Sequence, residues 1–157
     1  MEHIKKIEEM LMSSIFEVFE KMFFVFAEPL RGEAPLCPLK ATIGFEGALK
    51  GGMRISLAPE LARAMARNML SLEEDEITEP IMADCVKESI NMICGSFLRK
   101  VDPVHGSHMS IPTYEVVDGG MDRMVQGESS IRLAFATECG AFEIGLDTQA
   151  DRLREAL

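Results

Sequence analysis

Apolar residues recur along this chain with two periods, and the switches between them divide it into elements. From 3 to 26, Ile4, Ile7, Met10 or Leu11, Ile15, Val18 or Phe19 and Met22 fall at steps of three and four, which predicts a helix. Its end carries Phe16, Phe19, Phe23, Phe24 and Phe26, more aromatic surface than one face needs. Either that end is deeply buried between layers or part of it packs on a second copy. Three prolines and a glycine in 28–38 predict an irregular connection. The period then drops to two: 39–46 alternates in part, and 52–58 sets Met53, Ile55 and Leu57 against Arg54 and Ser56. Gly47, Gly51 and Gly52 flank the turn of this predicted hairpin. Pro59 suits the first turn of a helix over 59–70, with Leu61, Ala62, Met65, Ala66 and Met69 on its buried side. The acidic connector 71–79 is placed to cap the next helix. That helix, 77–100, buries Met82, Val86, Ser89, Ile93 and Phe97. Strands follow at 110–117, 129–138 and 139–147, the last two as a tight hairpin around 138–140. Residues 121–125 read as loop and 149–157 as a short polar turn or helix.

The order is helix, two strands, two helices, three strands. Consecutive hairpins predict an α+β fold with a mainly antiparallel sheet and helices packed on one face. The 157 residues suit a single domain, 1–157, and 47% hydrophobic content is ordinary for a globular chain. Twenty-six acidic residues against sixteen basic leave a formal charge of −10, which argues against a nucleic-acid backbone as ligand. No run approaches 18 apolar residues, so no membrane span is expected. Cys37, Cys85, Cys94 and Cys139 match no zinc or redox spacing and, with no secretory segment at the start, read as buried free thiols in a reducing cytoplasm.

The polar side of the 77–100 helix is the informative one. Asp84, Glu88 and Asn91 stand at i, i+4 and i+7, along one side, and Gly95 extends that side by a turn of bare backbone. On the residues alone this face is either ordinary solvated surface or a surface for one partner. A carboxylate can pair with a lysine and fix a docking register. An Asn amide can hold a water in line for attack but cannot act as a general base. Hydrolysis of an activated phosphoryl group needs mainly a placed water and neutralised charge. Other constellations read more simply. Glu17 and Glu20 belong to a solvated helix face. The glycines at 47–52 lack the endings of a phosphate cradle, the acidic run 71–79 lacks the spacing of a calcium loop, and His105 and His108 want further metal ligands.

The run Glu88-Ser-Ile-Asn91-Met-Ile-Cys-Gly95 resembles the ExxN motif, followed by glycine, of the CheX/CheC family of chemotaxis phosphatases. Asp84 four residues before the Glu, Pro112 about twenty beyond the Asn, Phe45 and Gly47 in the hairpin, and GMRISLAPELA extend the likeness over 5–147. The resemblance implies a CheC-like fold and an enzyme that removes the phosphoryl group from the phospho-aspartate of a CheY-like receiver. Glu88 would pair with the receiver lysine, Asn91 would orient the water, and Asp84 and Gly95 would shape the contact. It implies no cofactor on this chain, since Mg2+ would sit in the partner. CheC-like members carry a second ExxN on another helix; here the first helix has Glu17-Val18-Phe19-Glu20, with Glu20 where Asn is required. One site per chain resembles the CheX branch, a cytoplasmic homodimer built by joining sheets. The candidate joining edges are 110–117 and the hairpin at 129–146. Two alternatives stand beside the phosphatase. One is an inactive domain of the same fold in a chemotaxis, flagellar-switch or two-component pathway. The other is an unrelated structural homodimer.

Overall fold

The computed structural model describes residues 2–32, 35, 37–117 and 131–148. The readings for 121–125 and 149–157 lie outside these. Helix α1 (Glu2–Met22) leads to a two-residue strand β1 (Glu28–Pro29), then β2 (Leu39–Glu46), β3 (Gly51–Leu57), α2 (Pro59–Leu70), a 3₁₀ turn (Glu74–Glu76) and α3 (Glu79–Val101). Strands β4 (His108–Met109), β5 (Thr113–Val116), β6 (Ile131–Thr137) and β7 (Gly140–Thr148) follow. All strand pairs are antiparallel. The order is β1-β6-β7-β3-β2-β4, with β5 also pairing β2.

One residue parity of each central strand forms the core. Leu39, Ala41, Ile43 and Phe45 of β2, Met53, Ile55 and Leu57 of β3, and Phe142, Ile144 and Leu146 of β7 are buried beneath the helices. Burial at about 25 cal/mol per Å2 of apolar surface is what holds the layers together. Phe142 stacks between Phe19 of α1 and Phe135 of β6, at ring-centroid distances of 4.2 and 4.9 Å. Gly51 sits where β3 meets β7 so closely that a side chain would run into the Asp147 carbonyl.

Several sequence expectations are corrected. The first helix ends at Met22, because Phe24 takes a left-handed φ of 55° and the chain leaves extended. The period becomes two there: Phe23 and Val25 turn inward, whereas Phe24 and Phe26 are 66% and 75% exposed. The irregular 28–38 segment holds β1, which pairs with β6. Within the acidic connector, Thr78 caps α3, its hydroxyl accepting the Ile81 N–H at 3.4 Å, and Glu79 adds an acidic side chain to the first turn. Glu73 and Glu76 instead close the 3₁₀ turn with a capping box, and Glu74 pairs with Arg67 at 2.6 Å. The 110–117 strand shortens to β5, Thr113–Val116, with Pro112 just before it and the two-residue β4 lying ahead of the predicted range; the proline's missing N–H suits an edge. That stretch is an edge of the sheet. In the 129–146 hairpin β7 is internal, between β6 and β3, whereas β6 lies at the other side of the sheet and is covered by β1 only beside Phe135 and Ala136. Among the described residues, no helix is long and apolar enough to cross a membrane.

Candidate functional site

Helix α3 is clamped along its apolar side. Met82, Val86, Ser89, Ile93 and Phe97, the five positions expected from the period, are all buried. So are Cys85, Ile90, Cys94 and Leu98. The start is set by Thr78 and by a proline in the first turn, and Arg99 and Lys100 oppose the negative end of the helix dipole in the last. A rod held this way cannot roll, so its polar side has a fixed direction.

On that side Asp84 and Glu88 are exposed and Asn91 is half-buried. The Asp84 carboxylate lies 3.5 Å from Lys87. The side chains of Glu88 and Asn91 make no hydrogen bond or ion pair among the described residues. The four predicted site residues therefore share one side of one helix, but not one environment. Gly95 is buried rather than bare: the Arg99 Nη1 and the Met109 methyl lie 3.5 and 3.7 Å from where its Cβ would stand.

Two further elements wall this site. A hydroxyl chain ties α1 to α3: Lys100 Nζ donates to Ser96 Oγ (2.8 Å), Ser96 to Ser14 Oγ (3.2 Å), and Ser14 to the Met10 carbonyl (3.0 Å). At the C-terminus of α3, Asp102 accepts the backbone N–H groups of His105 (2.9 Å) and Val104 (3.1 Å), turning the chain back toward β4. Those bonds, that of His105 first, hold the Asp102 carboxyl below the usual range. This return brings Met109 over Gly95. The result is a groove of about 300 Å3 beside Asn91, lined by Glu17, Lys21 and Met22 of α1, Gly95 and Arg99 of α3, and Met109. Sequence reasoning missed Arg99, Lys21 and Met109. The signal for Arg99 was present, since 84, 88, 91, 95 continues to 99 at the same step. The other two come from elements whose approach no local pattern encodes.

Glu17 is occupied elsewhere. Lys100 donates to it at 3.0 Å, and that hydrogen bond, then the lysine's charge, lowers its pKa from 4.5. A lowered folded pKa means stabilisation that is present above about pH 4.5 and lost as pH falls through the folded value. Both side chains are partly solvated, so screening limits the pair to about 1 kcal/mol. Glu17→Gln should therefore lose at most about 1 kcal/mol at pH 7, and the gap to wild type should close as pH falls through the folded pKa of Glu17. Urea midpoints followed from pH 7 into acid check this, and a gap that persists in acid would assign the effect to packing.

Burial holds three of the four thiols in their unreactive protonated form. Cys37, Cys85 and Cys94 are buried and Cys139 half-buried, all unpaired. Burial pushes Cys94 up to about 12 and Cys37 to about 11. Among the described residues no three of His, Cys, Asp and Glu gather as a metal site.

The family model for the chemotaxis phosphatase CheX matches residues 39–135, which run from β2 into β6 and include all of α3. The chain belongs to the CheX family. A search of curated protein sequences finds no match. Solved structures of the same fold include the chemotaxis protein CheX from Vibrio vulnificus, with a TM-score of 0.77 and 22% identity over 91% of this chain and 96% of that one. A CheX from Desulfovibrio desulfuricans gives 0.75 and 20% identity over 92% and 99%. The CheX–CheY–BeF3–Mg2+ complex from Borrelia burgdorferi gives 0.72 and 18% identity over 90% and 96%. At these identities the likeness carries the fold: an α+β, CheC-like arrangement of antiparallel sheet and helices.

Proposed function

We propose that this CheX-family chain is a phosphatase of a CheY-like receiver, hydrolysing its phospho-aspartate. The observation that carries the reading is the disposition of α3. Its apolar side is locked into the core, while Glu88 and Asn91 face outward with side chains unengaged among the described residues. In this reading Glu88 pairs with the receiver's lysine and sets the register. The Asn91 amide holds a water in line with phosphorus. The water oxygen bonds to phosphorus, the acyl-phosphate P–O bond breaks, and the aspartate carboxylate leaves. The water's protons pass to phosphate oxygens and solvent. Mg2+ belongs to the receiver, and this chain contributes position rather than charge neutralisation. Asp84 flanks Glu88 at the contact, and Gly95 shapes it through what lies over it. Such a partner places the reaction in the cytoplasm. The Borrelia complex, a CheX with a BeF3-bearing CheY, supports the partner class.

The test is direct. Receivers from the same cell are phosphorylated with a small-molecule donor, and loss of the phosphoryl group is followed with and without this protein. Acceleration is expected with at least one. No acceleration with any of them would leave only a binding domain of the same fold.

We also propose a homodimer joined at the β4–β5 edge. Ile111 and Val116 are exposed along that stretch, the first at 87%. Light scattering should return twice the 17.4 kDa chain mass, and a monomer at micromolar concentration would remove the proposal.

A further inference from the structure

We infer that the groove beside Asn91 is an acidic-residue socket: Arg99, with Lys21, receives a carboxylate on the receiver surface and, opposite Glu88, makes α3 a two-signed docking strip. The inference rests on the receiver reading above and adds to it the second half of the contact. Glu88, Asn91, Gly95 and Arg99 follow one another at steps of three, four and four, so they run along one side of α3. The Arg99 side chain folds back toward the helix start, and its Nη1 lies 3.5 Å from the place a Gly95 Cβ would take. At 1.5 Å rise per residue, the guanidinium then sits about 6 Å beyond Asn91, while Glu88 stands about 4.5 Å before it. A negative and a positive group thus bracket the amide, about one turn to either side.

Charge decides the occupant. The chain carries −10, yet Lys21, Arg99 and Lys100 converge here on one carboxylate, Glu17. Lys100 takes that carboxylate at 3.0 Å. Neither Arg99 nor Lys21 has an ion pair or hydrogen bond from its side chain among the described residues. A cationic recess favours an anionic group, and the charge of −10 on each chain sets two copies against one another. The recess is about 300 Å3, room for one or two side chains rather than a whole segment. Gly95 now has a physical role. It leaves the seat in which the guanidinium lies, and a longer side chain would lift the charge out of register.

The experiment uses full-length protein and the cell's receivers, each loaded with beryllofluoride and Mg2+ for binding and phosphorylated for turnover. Arg99→Glu should weaken binding about tenfold and flatten its salt dependence, since charges at a contact act on encounter and register. Gly95→Leu, which keeps every charge but occupies the seat, should weaken binding to a similar extent while leaving more of the salt dependence in place. Arg99→Lys should restore part of the affinity. The rate at saturating receiver should stay within about twofold of wild type, because the socket holds the partner and not the reacting atoms. Unchanged affinity and salt dependence in Arg99→Glu would overturn the socket. So would a tenfold fall in saturating rate at unchanged KM, which would put the guanidinium on the phosphoryl group instead. The two proposals separate cleanly: wild type that binds in an Arg99-dependent way without speeding phosphoryl loss would support the socket and end the phosphatase reading.

Discussion

Asn91→Ala should lower the acceleration of phosphoryl loss by about 10²-fold while leaving the affinity for a beryllofluoride-loaded receiver within about twofold. The size follows from what the side chain supplies. A water held in line has already given up the freedom it would otherwise lose in the transition state, and a misplacement of about 1 Å is enough to cost 10²-fold. Truncation to Ala removes both amide groups and leaves nothing of the right reach. Binding survives because Glu88, exposed one turn earlier, remains to pair with the partner. Stability should survive as well. Asn91 is half-buried and its side chain has no partner among the described residues, so its loss should stay within about 0.5 kcal/mol. Single-turnover decay of the phosphorylated receiver reads the rate, and equilibrium titration reads the affinity. Equal activity in the variant would remove the water-positioning role and leave the fold and family untouched.

Phe97→Ala should cost about 3–5 kcal/mol. Phe97 is fully buried within the same core as Ile90, Ile93 and Cys94 of its own helix and Ile43 and Ile55 of the sheet. Removing a ring there loses its transfer energy and leaves a cavity that neighbours fill only in part, because the core is close-packed. Against a total of about 5–15 kcal/mol for a domain of ordinary stability, that is a large fraction. Urea unfolding should show the midpoint moving down with little change in slope. A loss under about 1 kcal/mol would mean that α3 is not clamped as described, and with it the fixed direction of Glu88 and Asn91. The two variants complement each other: one removes the group and keeps the rod, the other weakens the rod and keeps the group.

The β-hairpin, the antiparallel sheet and the five buried positions of α3 were legible because each is written in a local period. Parity in a strand and a three-to-four step in a helix decide which side chains can share a face, whatever the rest of the molecule does. The end of α1 was misread for the opposite reason. Phe23 through Phe26 continue an apolar run, and only the left-handed turn at Phe24, with Val25 N–H reaching the Phe19 carbonyl at 3.0 Å, shows where the helix stops. The acidic connector was legible in part: Thr78 and Glu79 set the start of α3 as a local signal would, whereas Glu74 pairs with Arg67 of α2, a contact no local pattern encodes.

The candidate site divides along the same line. Asp84, Glu88, Asn91 and Gly95 were legible as one side of one helix, since their spacing alone determines that. The groove beside them was not. It exists because a chain of hydroxyls brings α1 against α3 and because Asp102 turns the backbone so that Met109 covers Gly95. Sequence by itself determined which residues present themselves together; the tertiary structure alone decided what stands opposite them. Period is a property of neighbours in the chain, whereas the meeting of Lys21, Arg99 and Met109 depends on three elements far apart in sequence closing on one another.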